Sequence, residues 1–127
     1  MARERKFKLP AEQIKELVEP MGGCFATDHI TVDGLPVGFM EREAPGFDPD
    51  SGWRFYSGVE TEDYANNPDN TTIYDVNTIA NYDPAIIPYL DSPVGTELKR
   101  IPGTSKFQII KARQPWWRRL LRQDDDA

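Results

Sequence analysis

Cys24 and His29 are the single thiol and the single imidazole of the chain, and they stand five residues apart. A nucleophilic site needs a nucleophile, a base and an orienting group in contact. Residues 23–32 are predicted to form one strand, where an odd spacing sends two side chains to opposite faces. Cys24 is therefore expected to be a buried small hydrophobe and His29 a hairpin residue, and no catalytic residues are assigned. One Cys and one His also fall short of the three or four ligands of a zinc site. Asp48-Pro49-Asp50-Ser51-Gly52 has the outline of a calcium loop, but its glycine comes one position early and Val59 stands where the bidentate glutamate belongs. Gly22-Gly23 lacks the following Lys-Ser/Thr of a phosphate loop. No metal and no cofactor is expected.

Asp75, Asp83 and Asp91 remain as acid–base candidates, and each has a local structural task. Asp83 precedes Pro84 at a helix start, Asp91 precedes Ser92-Pro93 in a turn, and Asp75 stands beside Asn77 at a strand-to-helix turn. A carboxylate site near Asp75, Asn77 and Asp83 is kept as the enzyme or small-molecule alternative.

Charge points instead to binding. The net charge is −6, yet residues 41–91 carry eleven acids against two bases, Arg42 and Arg54, while residues 92–127 carry eight bases against four acids. The acidic middle repels phosphate, so no nucleic acid partner is expected. It suits a basic protein, since complementary charge speeds and orients encounter. Tyrosines run through the same stretch, and aromatic anchors ringed by charge are typical of interface centres. The expected partner-binding residues are Glu60, Glu62, Asp63, Tyr64, Asp69, Tyr74 and Asp75.

Residues 113–127 read as an appended tail. Trp116, Trp117, Arg118 and Arg119, with Leu120, Leu121 and Arg122, are expected to dock on the acidic middle or on a partner. At about two turns the tail is too short to bind a membrane strongly alone, so a membrane partner is disfavoured. No apolar run approaches the roughly 20 residues of a membrane span, and the charged N-terminus is not followed by a signal-peptide core. A cytoplasmic location is expected.

These residues must be positioned by short elements. Residues 10–19 are predicted to be a helix, with Ile14, Leu17 and Val18 on its buried face. Residues 23–32 and 36–42 are predicted strands around a hairpin turn at Asp33-Gly34. Residues 43–51 are too rich in turn residues to be regular. Residues 52–58 form a third strand, in which Trp53 and Phe55 alternate with Arg54 and Tyr56. An acidic loop over 60–70 holds one helical turn around Glu62–Asn66, followed by a strand over 71–76. Asn77 is expected to cap a short helix, and Asp83-Pro84 to open another through Ile86, Ile87 and Leu90. Residues 96–101 and 105–111 are strands around Pro102-Gly103, with Phe107 and Ile109 on one face. The sum is one α+β domain over 1–112, a mostly antiparallel sheet of five or six strands with two or three short helices.

Between Gly23 and Gly95 an ordered series of motifs runs through Gly52-Trp53-Arg54-Phe55 with Ser57-Gly58, Asn67-Pro68-Asp69-Asn70, and Tyr74-Asp75-Val76-Asn77-Thr78-Ile79. It continues through Asp83-Pro84-Ala85-Ile86-Ile87-Pro88-Tyr89-Leu90-Asp91-Ser92-Pro93-Val94-Gly95. In these motifs the stretch resembles a bacterial domain family, immunity protein thirty-three, grouped with the predicted immunity proteins of polymorphic toxin systems. The resemblance implies a cytoplasmic acidic α+β domain that neutralises a toxin, and it carries over no catalytic or ligand residue. A non-catalytic inhibitor with an acidic contact surface is thus the leading expectation. A tail-driven adaptor and the Asp75–Asp83 carboxylate site are the alternatives.

Overall fold

The computed structural model describes residues 6–111. Six strands form one sheet: β1 (Gly23–Thr27), β2 (Phe39–Arg42), β3 (Asp50–Tyr56), β4 (Thr71–Asp75), β5 (Glu97–Arg100) and β6 (Phe107–Lys111). Their spatial order is β4-β1-β3-β2-β5-β6. Every neighbouring pair is antiparallel except β1 and β3, which run parallel. The helices are short: α1 (Asp28–Thr31), α2 (Glu62–Asn66) and α3 (Val76–Tyr82), with 3-10 turns at Ala11–Gln13, Pro68–Asn70 and Pro84–Tyr89. The fold is α+β with a mostly antiparallel sheet, as expected.

Alternation along β3 places Trp53 and Phe55 in a core with Cys24, Ala26, Met40 and Leu98, beneath Ile30, Ile79 and Ile86 from the helical elements. Each of the larger aliphatic and aromatic side chains contributes about 1.5–3 kcal/mol on leaving water. The indole nitrogen of Trp53 donates to the Leu90 carbonyl at 3.1 Å, so the largest core residue leaves no polar atom unpaired. Arg42 clamps the same segment, donating to the Ser92 carbonyl at 2.8 Å and to that of Ser51 at 2.9 Å. Register between β1 and β3 slips between the Gly23–Asp50 and Phe25–Arg54 pairs, with Gly52 in the slip at φ +89. A Cβ on Gly52 would run into the Glu43 carbonyl oxygen, so this position demands glycine.

Three sequence expectations are corrected. The helix over 10–19 is one 3-10 turn, Ala11–Gln13, followed by extended chain, and Leu17 is 43% exposed. An isolated ten-residue helix is marginal, and this backbone finds better partners across the molecule. Asn77 and Asn81, one helical turn apart on α3, receive it. The Asn77 side-chain oxygen accepts from the Leu17 and Val18 amides at 2.7 and 3.1 Å, and that of Asn81 accepts from Lys15 at 2.9 Å. Both asparagines also donate to the Lys15 carbonyl at 2.8 Å. Asn77 is accordingly a strap anchor inside α3 rather than its cap, the capping position being Asp75.

Asp33-Gly34 makes no hairpin. The predicted strand over 23–32 ends at Thr27 and turns into α1, and Gly34, at φ +76, terminates that turn by donating to the Ile30 carbonyl at 3.2 Å. A glycine past a helix end uses the same positive φ as a hairpin turn, which is why the signal misleads. β1 accordingly lies between β4 and β3 and does not touch β2. Phe107 and Ile109 share one face of β6, but only Phe107 is buried and Ile109 is 64% exposed, because β6 is an edge strand that the core covers only at its beginning.

Candidate functional site

The parity that buries Trp53 and Phe55 sends Phe25, Phe39, Glu41, Arg54, Tyr56 and Lys99 to the opposite face of the sheet. α2 and the Pro68–Asn70 turn wall one side of that face through Ala65, Asn66 and Pro68. It holds adjoining hollows that meet at Tyr56 and Ala65. One, of about 390 Å³, is lined by Phe25, Thr27, Arg54 and Thr71. The other, of about 580 Å³, is lined by Phe39, Glu41, Glu60, Lys99 and Ile110. A further hollow of about 360 Å³ shares Glu41 and reaches Glu43 and Glu97.

Aromatic rings give this face its body. Phe39 and Tyr56 lie 5.8 Å apart between centroids, as do Phe25 and Phe47. Arg54 stands 4.6 Å over the Phe25 ring, a cation–π contact. Its nitrogens reach Asp50 at 3.0 and 2.8 Å and Glu43 at 3.2 Å, so its charge is already matched. The Asp50 oxygens also accept from the Gly46 and Gly52 amides at 2.8 Å, which fills the carboxylate of the calcium-like stretch with protein donors.

Acids dominate what is left. Glu41 pairs in register with Arg54 on one side and Glu97 on the other. Burial raises the Glu41 carboxyl to a pKa of about 7, with Glu43 and Glu97 adding like-charge repulsion and Arg54 offsetting part of it. Burial, with the nearby glutamates, likewise pushes the Tyr56 phenol up to about 12. Glu60 differs. Burial works against its charge, but the Thr27 hydroxyl at 2.7 Å and the Ser57 and Gly58 amides at 2.7 and 2.9 Å outweigh it and hold its pKa below the ordinary value. The face thus combines flat rings, a fixed carboxylate and a glutamate whose ionisation a cation would favour. Such a surface has the chemistry to accommodate a cationic, partly apolar group.

The sequence-predicted contacts disperse around this face. Glu60 lies in the hollow. Glu62 and Asp63 are exposed in the first turn of α2, on its rim. Tyr64 leaves the rim and stacks on His29, with centroids 4.1 Å apart, while His29 Nδ1 lies 3.0 Å from Asp33. His29 therefore braces α2 against α1, away from the buried Cys24, whose thiol burial pushes well up. Asp69 is exposed in the Pro68–Asn70 turn. Tyr74 belongs to the core side, its hydroxyl 3.0 Å from that of Thr31. Asp75 is exposed at the start of α3, where it and Asn77 line a hollow of about 160 Å³.

Asp83 is not in that hollow. Its carboxylate accepts from Arg100 at 2.6 Å, from the Val37 amide at 2.9 Å and from Ala85 at 3.1 Å. The structure does not bring Asp75 and Asp83 into one site. Trp116, Trp117, Arg118 and Arg119 lie outside the described residues. Sequence reasoning missed Phe25, Phe39, Glu41, Glu43, Tyr56 and Lys99. For Phe25, Phe39, Glu41, Tyr56 and Lys99 the signal was the off-core parity of β1, β2, β3 and β5, readable only once the strand order is known.

The immunity protein Imm33 domain matches residues 24–111, all of the sheet but Gly23 and all three helices. The chain belongs to this family. The Imm33 match runs past the 23–95 stretch that carried the resemblance and takes in the β5–β6 hairpin, while the strap before Gly23 precedes it. An immunity-type role follows for the chain. No curated protein and no solved structure matches it. No helix among the described residues is long and apolar enough to cross a membrane.

Proposed function

We propose that this Imm33 protein is a non-catalytic inhibitor that neutralises a bacterial toxin in the cytoplasm by seating a basic element of the toxin on the open face of the sheet. The observation that carries the reading is the crowding of Glu41, Glu43 and Glu97 beside the Phe39–Tyr56 rings. An incoming lysine or arginine relieves repulsion already present in the free protein, and the rings supply apolar area beneath it. Glu60, Glu62 and Asp63 extend the acidic field along the wall of the hollow. Asp69 and Tyr64 lie at the α2 end of that face, whereas Tyr74, on the core side, and Asp75, in the separate hollow with Asn77, lie outside this contact.

The test is capture of host proteins on the immobilised full chain, beside an E41K/E43K variant, with each captured partner then expressed alone and with either form. A partner whose toxicity is suppressed by the wild type and not by the variant supports the reading. A toxin suppressed equally by both overturns the assigned face. Partners that are not toxic overturn the inhibitor role.

A further inference from the structure

We propose that α3 is a binding site for an extended peptide main chain, filled in the free protein by the chain's own strap, and that it favours a partner segment with a basic residue where the strap carries Glu16. The occupant shows what the site reads. Asn77 Oδ1 accepts from the Leu17 and Val18 amides, and its Nδ2 donates to the Lys15 carbonyl. Asn81, one turn on, holds the same residue from both sides: its Oδ1 accepts from the Lys15 amide and its Nδ2 donates to the Lys15 carbonyl. A carboxamide carries the donor and the acceptor of a peptide group. Two of them four residues apart share one helix face, and together they pair with an extended chain much as a neighbouring strand does.

None of these bonds involves a side chain of the strap. Lys15, Glu16 and Leu17 are exposed, while Val18 packs against the core. What the site demands is therefore an extended backbone with one apolar residue, and the residues before that anchor are free to vary. Asn77 and Asn81 lie within residues 24–111, which match Imm33, and the strap precedes them. The site is thus part of the domain, whereas its present occupant is not.

Charge makes the strap an imperfect occupant. Beside the asparagines, the hollow of about 160 Å³ is lined by Glu16 and Val18 of the strap and by Asp75, Val76 and Asn77. Glu16 and Asp75 bring two like charges to this one small space, and among the described residues no base lines it. α3 itself carries no charged residue. A lysine or arginine at the Glu16 position would replace repulsion with attraction. The strap holds the site because it is tethered, and a short tether presents a segment at an effective concentration of about millimolar. A better matched segment from a partner displaces it. The open face of the sheet plays no part here, so this site stands or falls apart from the inhibitor reading.

The experiment uses the full chain, no toxin, and a synthetic peptide of residues 10–21, with and without Glu16→Lys. Leu17→Pro in the full chain removes one of the amides that Asn77 accepts and loosens the strap. The side-chain amide NMR signals of Asn77 and Asn81 should move on this substitution and return toward their wild-type positions as peptide is added. The E16K peptide should bind about three-fold more tightly than the parent at low salt, an advantage that shrinks at about 0.5 M salt. No binding, binding that leaves those signals unmoved, or equal affinities of the two peptides would overturn the proposal. A second measurement covers the case in which Leu17→Pro does not fold. Glu16→Lys alone in the full chain should slow hydrogen exchange at the Leu17 and Val18 amides about three-fold, and adding Asp75→Asn should abolish the gain. Exchange as fast as in the wild type, or a gain that survives Asp75→Asn, overturns it as well.

Discussion

Arg54 and Asp50 are joined by two parallel hydrogen bonds of 3.0 and 2.8 Å within one strand, and the Asp50 side chain is wholly enclosed. The pair fixes the bulged start of β3 and aims the guanidinium at Phe25. Asp50→Ala would leave the largely buried Arg54 with the more exposed Glu43 as its carboxylate partner, a loss below the about 3–5 kcal/mol of a fully broken buried pair. The Arg54 guanidinium holds the Asp50 carboxyl well below the usual carboxylate range, helped by the Gly46 and Gly52 amides against the opposing effect of burial. Its contribution is complete above about pH 4, the unfolded value, and is lost as pH falls through the lower folded value. Urea unfolding between pH 2 and 5 should show a falling limb in the wild type that flattens in Asp50→Asn.

Glu41 has the opposite sign. Its folded pKa of about 7 lies above the ordinary 4.5, so the native state holds its proton more tightly than the unfolded chain does. Its stabilising contribution is full below about pH 4.5 and disappears as pH rises through 7. Discounted for partial exposure and solvent screening, the change amounts to about 1 kcal/mol. Glu41→Gln should remove that decline, measured as the difference in urea midpoint between pH 5 and pH 8. Equal pH slopes in the two proteins would contradict the buried, repelled environment assigned to Glu41.

The extended strap offers a local test. Asn77 receives the Leu17 and Val18 amides through one oxygen and holds the Lys15 carbonyl through its nitrogen. Asn77→Ala should cost about 1–2 kcal/mol, the range for a few partly solvated hydrogen bonds. Hydrogen exchange should accelerate at Leu17 and Val18 while the β1 and β3 amides keep their protection. A uniform loss of protection would mean that the asparagine supports the whole domain instead of the strap.

Local signals carried the sheet's elements well. Trp53-Arg54-Phe55-Tyr56 announces a two-faced strand, Asp83-Pro84 announces a capped turn, and Pro102-Gly103 announces the β5–β6 hairpin; all three are present. The errors arose where one local signal serves two structures. Ile14, Leu17 and Val18 match a helical face, yet the backbone there is claimed by asparagines about sixty residues away. Asp33-Gly34 matches a hairpin but ends a helical turn. The open face was illegible for a different reason. Phe25, Glu41 and Tyr56 meet only because β3 lies between β1 and β2, and strand order is a non-local property that no window of sequence contains.

Rim and face acids should act on different rate constants. Glu62 and Asp63 are exposed on α2 and contribute to the long-range field, whereas Glu41 is partly buried on the face proposed as the contact. For a basic partner captured by the full chain, Glu62→Lys with Asp63→Lys should slow association about ten-fold at low salt and leave dissociation nearly unchanged. The deficit should shrink at about 0.5 M salt, where the Debye length is only a few ångströms. Glu41→Gln should instead speed dissociation, because it removes a carboxylate that becomes fully charged only against a bound cation. Stopped-flow measurements at two ionic strengths separate the two effects. Unchanged association by the rim variant at low salt would remove Glu62 and Asp63 from the encounter surface. Unchanged dissociation by Glu41→Gln would move the contact off the open face.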